Sequence, residues 1–139
     1  MNNTERLERL CEILDELSEM RDDQVLLVEG MKDRMAMYLA GVNGKIIAVQ
    51  AEGGPLRAAE RLYNEGLSAI ILTDWDPEGE SIAKELERAL SAVCVKYETK
   101  IRAKLCSVCG SEIHDVESLP SFYSRLASEA VRRKEGRNI

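Results

Sequence analysis

Apolar positions Leu7, Leu10, Cys11, Leu14 and Leu17 recur at intervals of three and four, the spacing of one face of a helix. They predict an amphipathic helix over residues 4–20, which Arg21-Asp22-Asp23 breaks. Gln24-Val25-Leu26-Leu27-Val28 is a short continuous apolar run, the mark of a strand covered on both faces, and it stops at Glu29-Gly30. A helix over 32–39 follows, ending near Gly41. The unit then recurs in form. Lys45-Ile46-Ile47-Ala48-Val49 reads as a strand, Glu52-Gly53-Gly54 as a turn, and Pro55 as the opening of a helix to Asn64, because proline's fixed φ suits a first helical position. Leu67 to Thr73 reads as a third strand, Asp74 to Asp76 as a turn, and Pro77 opens a helix with Ile82, Ala83, Leu86 and Leu90 on one face.

Strands alternating with helices of this length specify right-handed βαβ units. The expected fold is α/β and Rossmann-like, with about four mainly parallel strands and helices on both faces. Polar alternation at Lys96, Glu98, Lys100, Arg102 and Lys104 predicts a fourth, interrupted strand within 93–105 with one solvated face. Ser118 to Lys134 reads as a helix introduced by Leu119-Pro120, and the tail Glu135 to Ile139 is expected to fray. The chain therefore reads as one domain over 1–139: a core at 24–92, an N-terminal helix at 4–20 and a strand/helix extension at 93–135.

Two carboxylates, Asp74 and Asp76, stand at the mouth of the most apolar run, and Glu29 ends the first strand. In an open parallel sheet the carboxyl ends of neighbouring strands share one edge, where ligands bind. If the first and third strands are neighbours, Glu29, Asp74 and Asp76 converge. Like charges so close raise one another's pKa unless a cation neutralises them, and their hard oxygens suit Mg²⁺ or Mn²⁺. The aspartates then hold the metal that neutralises phosphate oxygens, while Glu29, as ligand or as general acid/base, exchanges a proton with the attacking or leaving oxygen. Gly30 and Gly79 let backbone approach a ligand, and the helix start after Pro77 favours an anion. The bland alternative, turn formers and helix N-caps, accounts for one acid more readily than for the joint pattern. Trp75 either stacks on a base or packs over the turn; Lys32 either meets a phosphate or, the favoured reading, pairs or is solvated.

Composition narrows the partners. The 139 residues carry a net charge of −6, which excludes nucleic-acid binding through a broad basic face; any such contact must be local or metal-mediated. Arg125, Arg132, Arg133, Lys134 and Arg137 gather near the end, and Lys96, Lys100, Arg102 and Lys104 lie upstream, both read first as solvated helix or strand faces. No apolar stretch approaches the ~18 residues of a membrane span, and Met1-Asn2-Asn3-Thr4-Glu5 is polar, so no membrane partner and a cytoplasmic location are expected. Four cysteines are then expected as reduced thiols. A zinc site can be drawn from Cys106, Cys109 and His114, with Cys94 upstream, but one C-x-x-C is half a signature; buried thiols or a turn at Cys109-Gly110 are preferred and structural zinc is not expected. Cys11 reads as core.

At the acidic positions the chain resembles the Toprim family, shared by type IA and type II topoisomerases, bacterial-type primases, OLD-type nucleases and nucleases that mature 5S ribosomal RNA. The resemblance lies in Val28-Glu29-Gly30 at a first strand end and in Thr73-Asp74-Trp75-Asp76-Pro77-Glu78-Gly79-Glu80-Ser81-Ile82-Ala83, similar to the type IA topoisomerase motif. Glu29-Gly30-Met31-Lys32-Asp33 is closer to the primase and RNA-maturase version. It covers 24–90 firmly, and Ile113-His114-Asp115-Val116-Glu117-Ser118-Leu119 is similar to the closing part of small free-standing archaeal Toprim proteins, which adds Asp115 and Glu117 as candidates. The resemblance implies Glu29 as general acid/base and Asp74 and Asp76 as magnesium ligands. It implies phosphoryl transfer on RNA or DNA, most simply as a nuclease; the alternatives are a non-catalytic metal and nucleic-acid-binding module of an RNA-processing or DNA-repair assembly, and a primase-like nucleotidyl transferase. Tyr38, Tyr63, Tyr97 and Tyr123 lack a nucleophile's setting, and a topoisomerase needs several hundred further residues. The apolar face of the first helix can pack on its own domain or on a second copy in a homodimer.

Overall fold

A computed structural model describes residues 1–137 and shows an α/β fold. Four strands, β1 (Gln24–Val28), β2 (Ile46–Ala48), β3 (Ser68–Ile71) and β4 (Tyr97–Glu98), form one all-parallel sheet in the order β2-β1-β3-β4. Helices α1 (Asn3–Ser18), α2 (Met31–Leu39), α3 (Val49–Glu52), α4 (Pro55–Glu65), α5 (Pro77–Ala92), α6 (Lys100–Cys109) and α7 (Leu119–Arg137) surround it.

The strand runs are apolar throughout because both faces are covered. Leu26, Val28, Ile46, Ala48, Ile70 and Leu72 join one core with α1, α2, α6 and α7. The alternate residues Val25, Leu27, Ile47, Ala69 and Ile71 join a second core with α4 and α5. This period-two division is what a pleated strand between two helical layers requires. The chain leaves β1 for β2 on one side and returns to β3 on the other, so the order of connection reverses beside β1. A crevice at the carboxyl ends of β1 and β3 follows from that reversal.

Local chemistry places the elements. Asn2 caps α1 by accepting from the Glu5 N–H at 2.9 Å. Gly53 and Gly54, at φ of 100° and 114°, make the left-handed turn that lets Pro55 start α4 so soon after α3.

Four expectations are corrected. The second strand is shorter than 45–49, since Val49 already belongs to α3. The third ladder ends at Ile71, although Leu72 and Thr73 stay buried. The largest change falls in 93–105, where the fourth strand is two residues long and α6 begins at Lys100. Polar residues at every second position suggested a strand, but Ile101, Leu105, Val108 and Cys109, spaced four, three and one apart, bury one face of a helix. Helix α1 packs its Leu10, Ile13 and Leu17 within its own core. Helix α7 runs through Glu135 to Arg137 where fraying was expected; the last part of that tail, 138–139, lies outside the described residues. Among the described residues no helix is long and apolar enough to cross a membrane.

A candidate cation site at the switch point

Strand β1 delivers Glu29 and β3 delivers Asp74 to the same edge. Their pairing extends past the ladder, with Leu72 N–H donating to the Leu27 carbonyl at 2.8 Å. Asp33 arrives from the first turn of α2, where its Oδ2 accepts from the Gly30 N–H at 3.0 Å. Carboxylate oxygens of Glu29, Asp33 and Asp74 all lie within 4.8 Å of one another, and Asp33 is 9% exposed.

Three acids so close cannot all carry charge without compensation. Burial, then the hydrogen bond with Asp74, then the charges of Asp74, Asp33 and Asp76 push the Glu29 carboxyl up to about 8. Burial also raises Asp33, opposed by the Gly30 N–H and assisted by Asp74, Glu117 and Asp115. Glu29 Oε1 is buried and has no hydrogen-bond partner. An orphaned oxygen among converging carboxylates fits a hard divalent cation, whose oxygen-rich preference the donor set matches.

The neighbouring residues position these three. Asp76 caps α5, its Oδ1 accepting from Gly79 N–H at 2.7 Å; its charge acts on Glu29, while the three carboxylates that meet within 4.8 Å are those of Glu29, Asp33 and Asp74. A Cβ on Gly79 would lie 2.0 Å from the Asp74 carbonyl oxygen. Gly79 thus permits a close approach of the chain's own backbone at Asp74. At Gly30 the close neighbour is the Gln50 side chain, 2.9 Å from a Cβ position. Thr73 Oγ1 donates to the Gly79 carbonyl at 2.7 Å. Arg102, reaching over from α6, donates from Nη2 to the Asp74 carbonyl at 2.8 Å and from Nε to that of Thr73 at 3.1 Å, and pairs with Glu80 at 2.7 Å.

Segment 113–118 closes the site. Trp75 donates from its indole Nε1 to the Ile113 carbonyl at 2.6 Å and from its backbone to that of His114 at 3.1 Å, and packs, half-buried, on the core. Val116 N–H donates to Asp74 Oδ1 at 2.9 Å. Asp115 Oδ1 accepts from Ser118 N–H at 2.8 Å. Lys32 is exposed and makes no ion pair among the described residues.

The C-x-x-C lies within α6. Cys106 is exposed, Cys109 is buried with its thiol pushed up to about 12 by burial, and His114 is exposed; among the described residues they form no ligand group. Sequence reasoning missed Asp33 and Arg102. The signal for Asp33 was present, an acid three residues after Gly30 at a helix start, where it can cap and face the strand end. Arg102 gave none, because it was assigned to a strand.

Fold and site define an α/β protein with a carboxylate cluster at the carboxyl ends of two adjacent parallel strands. The chain belongs to the UPF0292 family. It is 38% identical over 125 residues to the UPF0292 protein of Methanosarcina acetivorans, covering 89% of this chain and 86% of that one. It is 34% identical over 122 residues to a UPF0292 protein of Methanosarcina barkeri, covering 87% and 85%. With that of Methanocaldococcus jannaschii it shares 30% over 125 residues, 90% of this chain and 98% of the relative. No protein-family model matches the chain. A solved structure of an Aquifex aeolicus protein is similar in fold, with a TM-score of 0.68 at 24% identity over 78% of this chain and 96% of that one.

Proposed function

We propose that this protein is a Toprim-type, divalent-metal-dependent phosphoryl-transfer enzyme acting on nucleic acid, most simply as a nuclease. The observation that carries this reading is the meeting of Glu29, Asp33 and Asp74 within 4.8 Å at the β1/β3 switch point. The orphaned Glu29 Oε1 supports it, as does the resemblance of the two sequence motifs. Asp33, Asp74 and Glu29 would hold the metal, Mg²⁺ or Mn²⁺, which when bound supplies charge neutralisation at phosphate oxygens. Asp76 keeps the α5 cap that fixes the turn, and Arg102 holds the Thr73 and Asp74 carbonyls so that the Asp74 side chain faces Glu29.

In the metal-free site Glu29 is held at about 8, and because a bound cation would lower that value, its general acid/base role rests on its place beside Asp74 and on the motif resemblance. Glu29 therefore takes the proton-transfer role and Asp33 and Asp74 the electrostatic one. The test is incubation of purified protein with end-labelled RNA and DNA in Mg²⁺ or Mn²⁺, beside Glu29→Gln and Asp74→Asn. Shortening of the substrate by the wild type alone is expected; identical behaviour of all three proteins overturns the reading. Incorporation of labelled nucleotides on a single-stranded template would reassign the chemistry from cleavage to synthesis.

A further inference from the structure

An acidic protein that handles a polyanion must offer cations somewhere near its reaction centre, because phosphate contacts supply most of such binding. Four of the basic residues noted in the sequence are committed to other partners. Arg102 is spent on two carbonyls and Glu80, Lys104 pairs with Glu16, Arg125 with Glu112 and Arg133 with Glu129. The groove of about 410 Å³ between α1 and α6 balances Arg9 and Lys104 against Glu12 and Glu16.

The outer edge of β2 differs. Arg34, Lys45 and Arg61 line one cavity of about 140 Å³ together with Met31, Ala48 and Glu52. Three cations there share two carboxylates: Glu65 takes Lys45 at 2.7 Å and Arg61 at 2.6 Å, and Glu52 takes Arg61. Arg34 has no carboxylate partner among the described residues. Its Nε donates to the Ile46 carbonyl at 3.0 Å and its guanidinium lies 5.4 Å from the Tyr38 ring centre, so its outer N–H groups stay open to an anion. The ion pairs of Lys45 and Arg61 are about 40% exposed, a setting in which such pairs are weak and exchange readily for another anion.

Position ties this cavity to the acids. Ala48 stands level with Val28, the residue before Glu29, and Lys45 lies three residues back, about 10 Å at ~3.3 Å per residue. Gln50, following Ala48 and Val49, donates its N–H to the Glu29 carbonyl at 3.0 Å and presses its side chain on Gly30. Met31, the first residue of α2, lines the cavity two positions after Glu29. The volume is below the ~300 Å³ of typical small-molecule pockets, so it suits a phosphate group and not a whole nucleotide.

From this placement we infer that the β2 edge is a phosphate-binding track, in which Arg34, Lys45 and Arg61 hold the backbone of a single-stranded nucleic acid whose reacting phosphate lies at Glu29 and Asp74. The track rests on the reading of those acids as a phosphoryl-transfer centre, and adds three clustered cations to a chain of net charge −6. A strand so held passes from β2 across the end of β1, with Glu65 and Glu52 displaced from their cations by phosphate.

The test is fluorescence anisotropy with short fluorescein-labelled single-stranded RNA and DNA in Mg²⁺, across a salt series, on wild type, Lys45→Gln/Arg61→Gln and Arg132→Gln/Arg133→Gln. The first double variant is expected to bind at least about tenfold more weakly at low salt, with a log Kd against log salt slope shallower by ~1.4, since each single-strand phosphate contact contributes ~0.7. The α7 variant is expected to match the wild type. If the double variant fails to fold, Lys45→Gln alone, at an exposed position, should lower the slope by ~0.7. An unchanged slope, a loss confined to the α7 variant, or a wild type that binds no oligonucleotide overturns the track. Cleavage by the wild type with an unchanged slope overturns the track alone; a slope that depends on Lys45 and Arg61 without any cleavage leaves the track standing and removes the catalytic reading.

Discussion

Val116 donates its backbone N–H to Asp74 Oδ1 at 2.9 Å, joining residues 42 apart in sequence. One oxygen of Asp74 is thereby taken by segment 113–118, which orients the carboxylate against Glu29. The same segment is pinned by Trp75 through Ile113 and His114. Trp75→Phe keeps the ring and removes the indole donor. It is expected to lower stability by about 1 kcal/mol and to speed hydrogen exchange at the Val116 amide. Unchanged melting and exchange would show that the segment is held without Trp75.

Asp33 joins the cluster from a helix cap, so its charge and its hydrogen bond can be separated. Asp33→Asn keeps an oxygen for the Gly30 N–H and deletes the negative charge. Calorimetric titration with Mn²⁺ should show affinity falling by at least about tenfold with little change in melting temperature. Wild-type affinity in the variant would remove Asp33 from the metal site.

Glu29 makes stability depend on pH. Its folded-state value of about 8 lies above the ordinary 4.5, so the folded protein holds a proton that the unfolded chain has lost over that interval. The contribution is complete below about 4.5 and disappears as pH rises through about 8, so the metal-free melting temperature should fall across this window. Glu29→Gln should flatten the profile. Since a cation binds the ionised form, Mg²⁺ should raise the melting temperature more near pH 8 than near pH 6. A wild-type profile as flat as the variant's would refute the raised carboxyl.

Gly79 leaves no space for a side chain beside Asp74. Gly79→Ala would place a methyl carbon 2.0 Å from a backbone oxygen that Arg102 already fixes, so α5 or the turn must move. Destabilisation of about 2 kcal/mol or more is expected in chemical denaturation, together with weaker Mn²⁺ binding. A variant as stable as the wild type would mean that this turn yields easily.

The sequence by itself determined the alternation of strands and helices, the parallel sheet with two covered faces, and the strand ends that present Glu29 and Asp74. Those features depend on local patterning: apolar runs of strand length, prolines opening α4 and α5, and acids placed where strands stop. Tertiary structure decided what patterning leaves open. It made 100–109 a helix, because burial of Ile101, Leu105 and Val108 outweighs the polar alternation around them. It also brought Asp33, from the first turn of α2, within 4.8 Å of Glu29 and Asp74, a meeting of helix start and strand ends that the pattern along the chain did not announce. Arg102 and Val116 reach Asp74 only through contacts between distant segments, and no spacing along the chain encodes that proximity.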